Sequence, residues 1–173
     1  HASHQNGLDA DIAYLKANHV ERDPNTNGPN GFAESFVKNG ALTENFDVAR
    51  NWAILRDLVG RGNVGRIFVD PVIKGAFCKR AAALDPELPT ASRNEVLRRL
   101  RPYDGHDDHF HVRLECPPGA TQCVPQAPVP PGDGCGADLA WWYTPAPYKP
   151  TKPARPLTVA DLPKACHAVL TGQ

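Results

Sequence analysis

Three of the seven histidines fall within six residues, at His106, His109 and His111, and two more stand at His1 and His4. Imidazole changes charge near neutral pH and is a common metal ligand, so such clusters point to proton transfer or to metal binding. From His109 onward, His109, His111 and Arg113 alternate with Phe110, Val112 and Leu114. That is the period of a strand, which would bury the second set and show both histidines on one open face, ~7 Å apart at the Cα level. Both can then reach one site, one as a ligand and the other in proton transfer. Asp11 offers a carboxylate from the polar side of another alternating stretch, seven residues after His4 and linked to it through the turn-prone Gln5-Asn6-Gly7. Two imidazoles and a carboxylate form the ligand set of several catalytic zinc sites, because three protein ligands leave the fourth tetrahedral position to water; a structural site would close it. The sequence has no HExxH, so the ligands come from strands and loops rather than from one helix. His19 and His167 have no such neighbours and are read as ordinary polar contacts.

The elements that position these residues follow from periodicity. Gly7 to Tyr14 sets Leu8, Ala10 and Ile12 against Asp9, Asp11 and Ala13, a half-buried strand that turns Asp11 away from the core. Residues 18 to 42, rich in Asn, Gly and Pro, read as a long surface loop of the kind that walls a cleft. Thr43 to Gly60 has Phe46, Ala49, Trp52, Ala53 and Leu55 or Val59 at helical spacing, with Thr43 as its cap and Gly60 as its stop. Asn63 to Val69 is predicted as a strand, and Asp70-Pro71 opens a helix that runs to about Leu84 and contains Cys78. Ser92 and Glu95 have capping-box spacing ahead of Val96, Leu97 and Leu100, a short helix closed by Pro102. Residues 117 to 136 are dense in Pro and Gly and need tying down, for which Cys116, Cys123 and Cys135 are at hand. Ala137 to Tyr143 reads as a short helix. Its Trp141 and Trp142 are expected to pack onto the core rather than to line a groove, as are Trp52 and Tyr103, because aromatics are mainly core payload. A Pro-rich strap over 145–157 leads to a terminal helix, Leu157 to Leu170, with Cys166 on its inner side.

At 173 residues the chain has the length of one domain. The 19 basic and 19 acidic residues cancel, so no long-range field draws in nucleic acid or an anionic membrane. No apolar run approaches the ~20 residues of a membrane-spanning helix. The chain starts on His and lacks Met and any leader, so an upstream segment is expected to be missing. Five Cys without CxxC spacing favour disulfides in an oxidising compartment, and the odd count suggests a partner in that upstream segment.

HASHQNGLDADI and YDGHDDHFHVRLECP, with Asp138-Leu139-Ala140-Trp141-Trp142 and a closing Leu157-Thr158-Val159-Ala160-Asp161-Leu162-Pro163, carry a resemblance. The first two motifs are similar to the metal motifs of the lysostaphin, D-Ala-D-Ala metallopeptidase and hedgehog group. The four stretches together resemble the penicillin-insensitive murein endopeptidase family over essentially the whole chain. The resemblance implies an α+β fold with a central antiparallel sheet flanked by helices and long loops, and zinc on His4, Asp11 and His111. His1, His106 and His109 would be the other active-site histidines. It further implies disulfides Cys116–Cys123 and Cys78–Cys135, with Cys166 paired to an absent N-terminal Cys. The implied substrate is the D-alanyl-meso-diaminopimelyl cross-link of peptidoglycan, and the implied location is the periplasm.

On this reading His109, sharing a strand face with His111, is the expected general base and then acid, and His106 or His1 orients it or stabilises the oxyanion. Asp107 and Asp108 are read as solvated turn acids at least as readily as partners of the imidazoles. Two rivals keep the zinc but change the role. One is a D,D-carboxypeptidase or dipeptidase acting on free stem peptides, the other a non-catalytic zinc-binding module. Self-association into a homodimer stays open.

Overall fold

The computed structural model describes residues 4, 7–20, 32, 34–149, 155 and 158. His1, the terminal helix with Cys166, His167 and most of the Pro-rich strap lie outside these residues. The elements run β1 (Asp9–Ala13), β2 (Val37–Lys38), β3 (Ala41–Leu42), α1 (Val48–Gly60), β4 (Val64–Val69), α2 (Pro71–Leu84), α3 (Thr90–Arg99), β5 (Leu100–Pro102), β6 (His109–Leu114) and α4 (Ala137–Trp142). The architecture is α+β. Its main sheet has the order β1-β6-β4-β5, antiparallel across β1, β6 and β4 and made mixed by β5, which joins β4 in parallel. A parallel partner requires a crossover, and α2 and α3 provide it.

One face of the sheet holds the core. Ile67 and Val69 of β4 and Phe110 and Val112 of β6 pack with Trp52 and Leu55 of α1, Ile73, Phe77 and Ala81 of α2, and Val96 and Leu97 of α3. Two disulfides, Cys78–Cys135 and Cys116–Cys123, pair as the family resemblance implies. The first ties the 133–135 loop to α2, and the second closes a short loop after β6, its cysteines seven positions apart.

Several local expectations are corrected. Residues 18 to 42 are not all loop, because β2 and β3 form a hairpin around Asn39-Gly40, both at positive φ. This is the turn chemistry that a two-residue hairpin demands. Helix α1 starts at Val48, since Phe46 is drawn into a bridge with Lys16 and the Asp47 carboxylate, not Thr43, caps the backbone N–H of Arg50. In α3, Ser92 lies inside the helix and Glu95 pairs instead with Arg98 and Arg99. The end of that segment is a strand, β5, because Leu100 and Pro102 register against Ile67 and Val69. Trp141 is 48% exposed and Tyr103 54% exposed, so these two are not core; the six-residue α4 buries only Leu139. Tyr143, following α4, donates its hydroxyl to the Pro71 carbonyl at 2.9 Å, and Gly75 makes room for it, since a Cβ there would lie 2.6 Å from the Tyr143 Oη.

Candidate metal centre

The face of the sheet opposite the core carries the chemistry. In an antiparallel pair, directly opposed residues project to the same side, so the β1–β6 register sets Asp11 beside His111, Asp9 beside Arg113 and Ala13 beside His109. Phe68 of β4 flanks His111 on its other side. His4 reaches the same place from the segment before β1, its ring 4.6 Å from that of His111.

His109 and His111 are buried, at 4% and 5% exposure, which corrects the open face expected for them. Both faces of β6 are covered. Phe32 stacks on His109 at 4.5 Å, and His4 and Phe68 pack against His111. Alternation had located the face rightly but could not see these distant covering groups.

His4, Asp11 and His111 bring one ligand atom each to within 4.8 Å of one another. Asp11 Oδ2 lies 3.4 Å from His4 Nε2, and Asp11 Oδ1 lies 3.3 Å from His111 Nδ1. Ligands ~2.0–2.1 Å from a tetrahedral ion are separated by ~3.3–3.4 Å, so these spacings suit a shared cation better than hydrogen bonds of normal length. Buried Asp11 Oδ1 accepts no hydrogen bond among the described residues. The residues present therefore fit a small divalent metal.

Around this triad the imidazoles are held in defined tautomers. His111 Nε2 lies 2.6 Å from Asp9 Oδ1, which leaves Nδ1 to face Asp11. The Asp9 side chain is 1% exposed and is also bonded by Arg113 Nε. Burial pushes the Asp9 pKa up, but the Arg113 and His111 bonds outweigh it and hold the carboxyl below its ordinary value. His109 Nδ1 bonds the Asp108 carboxylate, leaving Nε2 3.6 Å from Asp11 Oδ1. Asp108 thus acts on an imidazole, while Asp107 accepts from the Ser35 hydroxyl and, through its carbonyl, from the Phe36 N–H, so it anchors the chain entering the hairpin. Neither is a solvated turn acid.

His106 sits on the 104–108 turn with its ring 4.9 Å from that of His109. Its carbonyl is gripped by the Tyr14 hydroxyl at 3.3 Å and the Asp70 N–H at 3.1 Å, both from core-anchored elements. Its Nδ1 lies 3.1 Å from the Asp104 carbonyl. A carbonyl only accepts, so Nδ1 carries the proton and Nε2 is the free lone pair of a neutral ring. Burial lowers the His106 pKa and keeps that neutral form. His19, by contrast, is exposed and meets Arg50 at 2.8 Å, away from the cluster. The groups missed at the sequence level are Asp9, Arg113 and Tyr14; Asp9 and Arg113 were findable, since each shares the strand period of a predicted ligand.

A family model described as penicillin-insensitive murein endopeptidase matches residues 1–171. The chain belongs to that family. Among its relatives are proteins named penicillin-insensitive murein endopeptidase from Haemophilus influenzae, 35% identical over 170 residues, and from Klebsiella pneumoniae and Salmonella typhi, each 36% identical. The alignments cover 98% of this chain but 56% to 58% of those relatives, so the chain spans little more than half their length. The matched residues include the His4–Asp11–His111 cluster. No helix among the described residues is long and apolar enough to cross a membrane.

Proposed function

We propose that this chain is a zinc-dependent endopeptidase that hydrolyses the D-alanyl-meso-diaminopimelyl cross-link of peptidoglycan in the periplasm. The observation that carries the reading is the tetrahedral-edge spacing of His4, Asp11 and His111, with a basic imidazole nitrogen beside them, in a member of this family. His4 Nε2, Asp11 and His111 Nδ1 would hold the zinc. When bound there, zinc would supply Lewis-acid chemistry, making water more acidic and the scissile carbonyl more electrophilic.

The chain's own groups do the rest. His109, with Nδ1 committed to Asp108, presents the Nε2 lone pair toward the cluster and serves as general base, then returns the proton to the leaving amine. The Asp108 carboxylate stabilises the imidazolium formed in between. His106, neutral and with Nε2 as an acceptor, suits the ordering of the attacking water rather than donation to an oxyanion. Asp9 fixes the ring of His111 so that Nδ1 stays on Asp11. Burial of His109 and His111 keeps bulk water from levelling these interactions.

Purified cross-linked sacculi test the proposal. Incubation with the zinc-loaded protein should convert dimeric muropeptides to monomers, and a chelator should stop it. Release of terminal D-alanine with the dimers intact would favour the carboxypeptidase alternative, and unchanged sacculi would favour a binding module. His111→Ala should abolish zinc binding, whereas His109→Ala should retain zinc and lose ~10²-fold or more in kcat. Full turnover by His109→Ala would reject it as the base.

A further inference from the structure

The chemistry-bearing face continues past the metal centre. Arg113 follows His111 by one strand period, and Arg66 of β4 lies opposite Arg113 in the register, so both rise on the side that carries the histidines. Over them passes the Pro-rich segment after Cys116. It is held by the Cys116–Cys123 disulfide, by Arg98 Nη1 on the Val129 carbonyl at 3.0 Å and by Arg66 Nη2 on the Ala127 carbonyl. Between segment and sheet is a cavity of about 920 Å³ whose walls include Asp9, Arg66, Arg98, Arg99, Arg113 and Glu115. That volume accommodates a short peptide.

The four arginines are not equally engaged. Arg113 is paired with Asp9. Arg98 and Arg99 are paired with Glu95 at 2.7 and 2.6 Å, and Arg99 also with Glu115 at 3.0 Å. Arg66 has no carboxylate partner among the described residues, and its bond to one carbonyl uses one of the five N–H donors of a guanidinium. It is half-buried, and burial together with the nearby charges of Arg101, Arg113 and Arg99 disfavours its cation. A half-buried guanidinium crowded by other cations, with donors to spare, is most stabilised by an anion that forms the fork-to-carboxylate pair.

We infer that this cavity is a binding subsite for a peptide carboxylate, received by Arg66, that fixes the register of the substrate relative to the His4–Asp11–His111 cluster. The inference rests on the endopeptidase reading and deepens it. A diaminopimelyl residue in a cross-link retains a free carboxylate, which a neutral protein with no long-range field must capture locally. Strand geometry puts the Arg66 backbone ~8 Å from that of His111, a separation that a residue or two of substrate spans.

Two synthetic cross-linked dimers, differing only in whether the free diaminopimelyl group is an acid or a carboxamide, test this. Calorimetry on the metal-free protein should show the acid binding ~10-fold or more tightly than the carboxamide, and Arg66→Gln should bring that ratio to ~1. In the zinc-loaded protein the same loss should appear in KM, with kcat largely kept. A ratio near 1 in the natural chain, or a preference that survives in Arg66→Gln, overturns the assignment. Should Arg66→Gln fold poorly, amide chemical shifts of the natural chain decide. The acid should perturb Gly65, Arg66 and Glu115 and residues 126–129, and perturbation confined to β1 and residues 106–111 overturns the subsite. Failure of the zinc-loaded protein to cleave either dimer, with acid preference in binding intact, counts against the endopeptidase reading alone.

Discussion

Asp9 does not belong to the His4–Asp11–His111 triad, yet its removal should weaken metal binding. Its buried carboxylate takes the His111 Nε2 bond at 2.6 Å and so dictates that His111 offers Nδ1 to the site. Loss of an outer carboxylate of this kind typically costs 10- to 100-fold in metal affinity. That is ~1.4 to 2.7 kcal/mol. Asp9→Asn keeps an acceptor for the imidazole N–H and loses only the charge, so it should fall near ~10-fold. Asp9→Ala frees the ring to choose its tautomer and should approach ~100-fold. Asp9→Ala also strips Arg113 of its partner and leaves a half-buried cation, which lowers the stability of the apo protein as well. The two effects separate in the double variant Asp9→Ala/Arg113→Leu, which should recover the melting temperature of the metal-free protein but not the affinity. Competition with a chromophoric zinc chelator reads the affinity. Binding by Asp9→Ala within twofold of the natural chain would refute the positioning role.

Two further outcomes follow from the core side of the site. Asp70 caps α2 and its pKa is raised to about 6, because burial and then the charges of Asp107 and Asp104 outweigh the N–H bonds it accepts. The folded state thus binds more protons than the unfolded chain between pH ~3.8 and ~6, so this contribution is full below that window and is lost as pH rises through it. Asp70→Asn, which caps comparably, should match the natural chain in melting temperature near pH 4 and exceed it near pH 7; equal melting temperatures at both values would contradict this. Lys74 is fully buried, with Nζ donating to the Leu97 carbonyl and, at 2.8 Å, to the Asp133 carbonyl. Lys74→Met should cost ~2 to 4 kcal/mol in chemical denaturation, since it leaves two carbonyls unmet, whereas a loss under 1 kcal/mol would mean that water replaces the ammonium.

How much of this was legible in the sequence depends on the range of the interaction. Strands β1, β4 and β6 are readable because alternation is local, and β6 matches from end to end; on β1, at the sheet edge, Ala10 and Ile12, expected inside, are instead exposed, and the Asp9 side chain is the buried one. The segment from Leu100 to Pro102 was read as a helix end because nothing local distinguishes it. It becomes a strand only because Ile67 and Val69, more than thirty residues upstream, supply the edge it pairs with. The start of α1 is hidden from local periodicity for a similar reason, since the bridge from Phe46 to Lys16 competes with one more helical turn. The Asn39-Gly40 hairpin is locally coded, but the Asn-, Gly- and Pro-rich composition of residues 18 to 42 masks it.

The site shows the same division with a sharper consequence. Residue type and period brought His4, Asp11, His109 and His111 to notice, and the β1–β6 register gathers them. Their tautomers were not readable, because each depends on a partner that periodicity does not rank: Asp9 for His111, Asp108 for His109 and the Asp104 carbonyl for His106. These three acceptors decide which nitrogen faces the cluster. In each case the acceptor claims one ring nitrogen, so a neutral ring presents a lone pair rather than a proton toward the site. A sheet face lined by three such nitrogens and the Asp11 carboxylate repels itself unless a cation or a transferable proton lies among them. The acceptors around the histidines, as much as the histidines, are therefore what would fit this face to a cation rather than leave it a buried polar cluster.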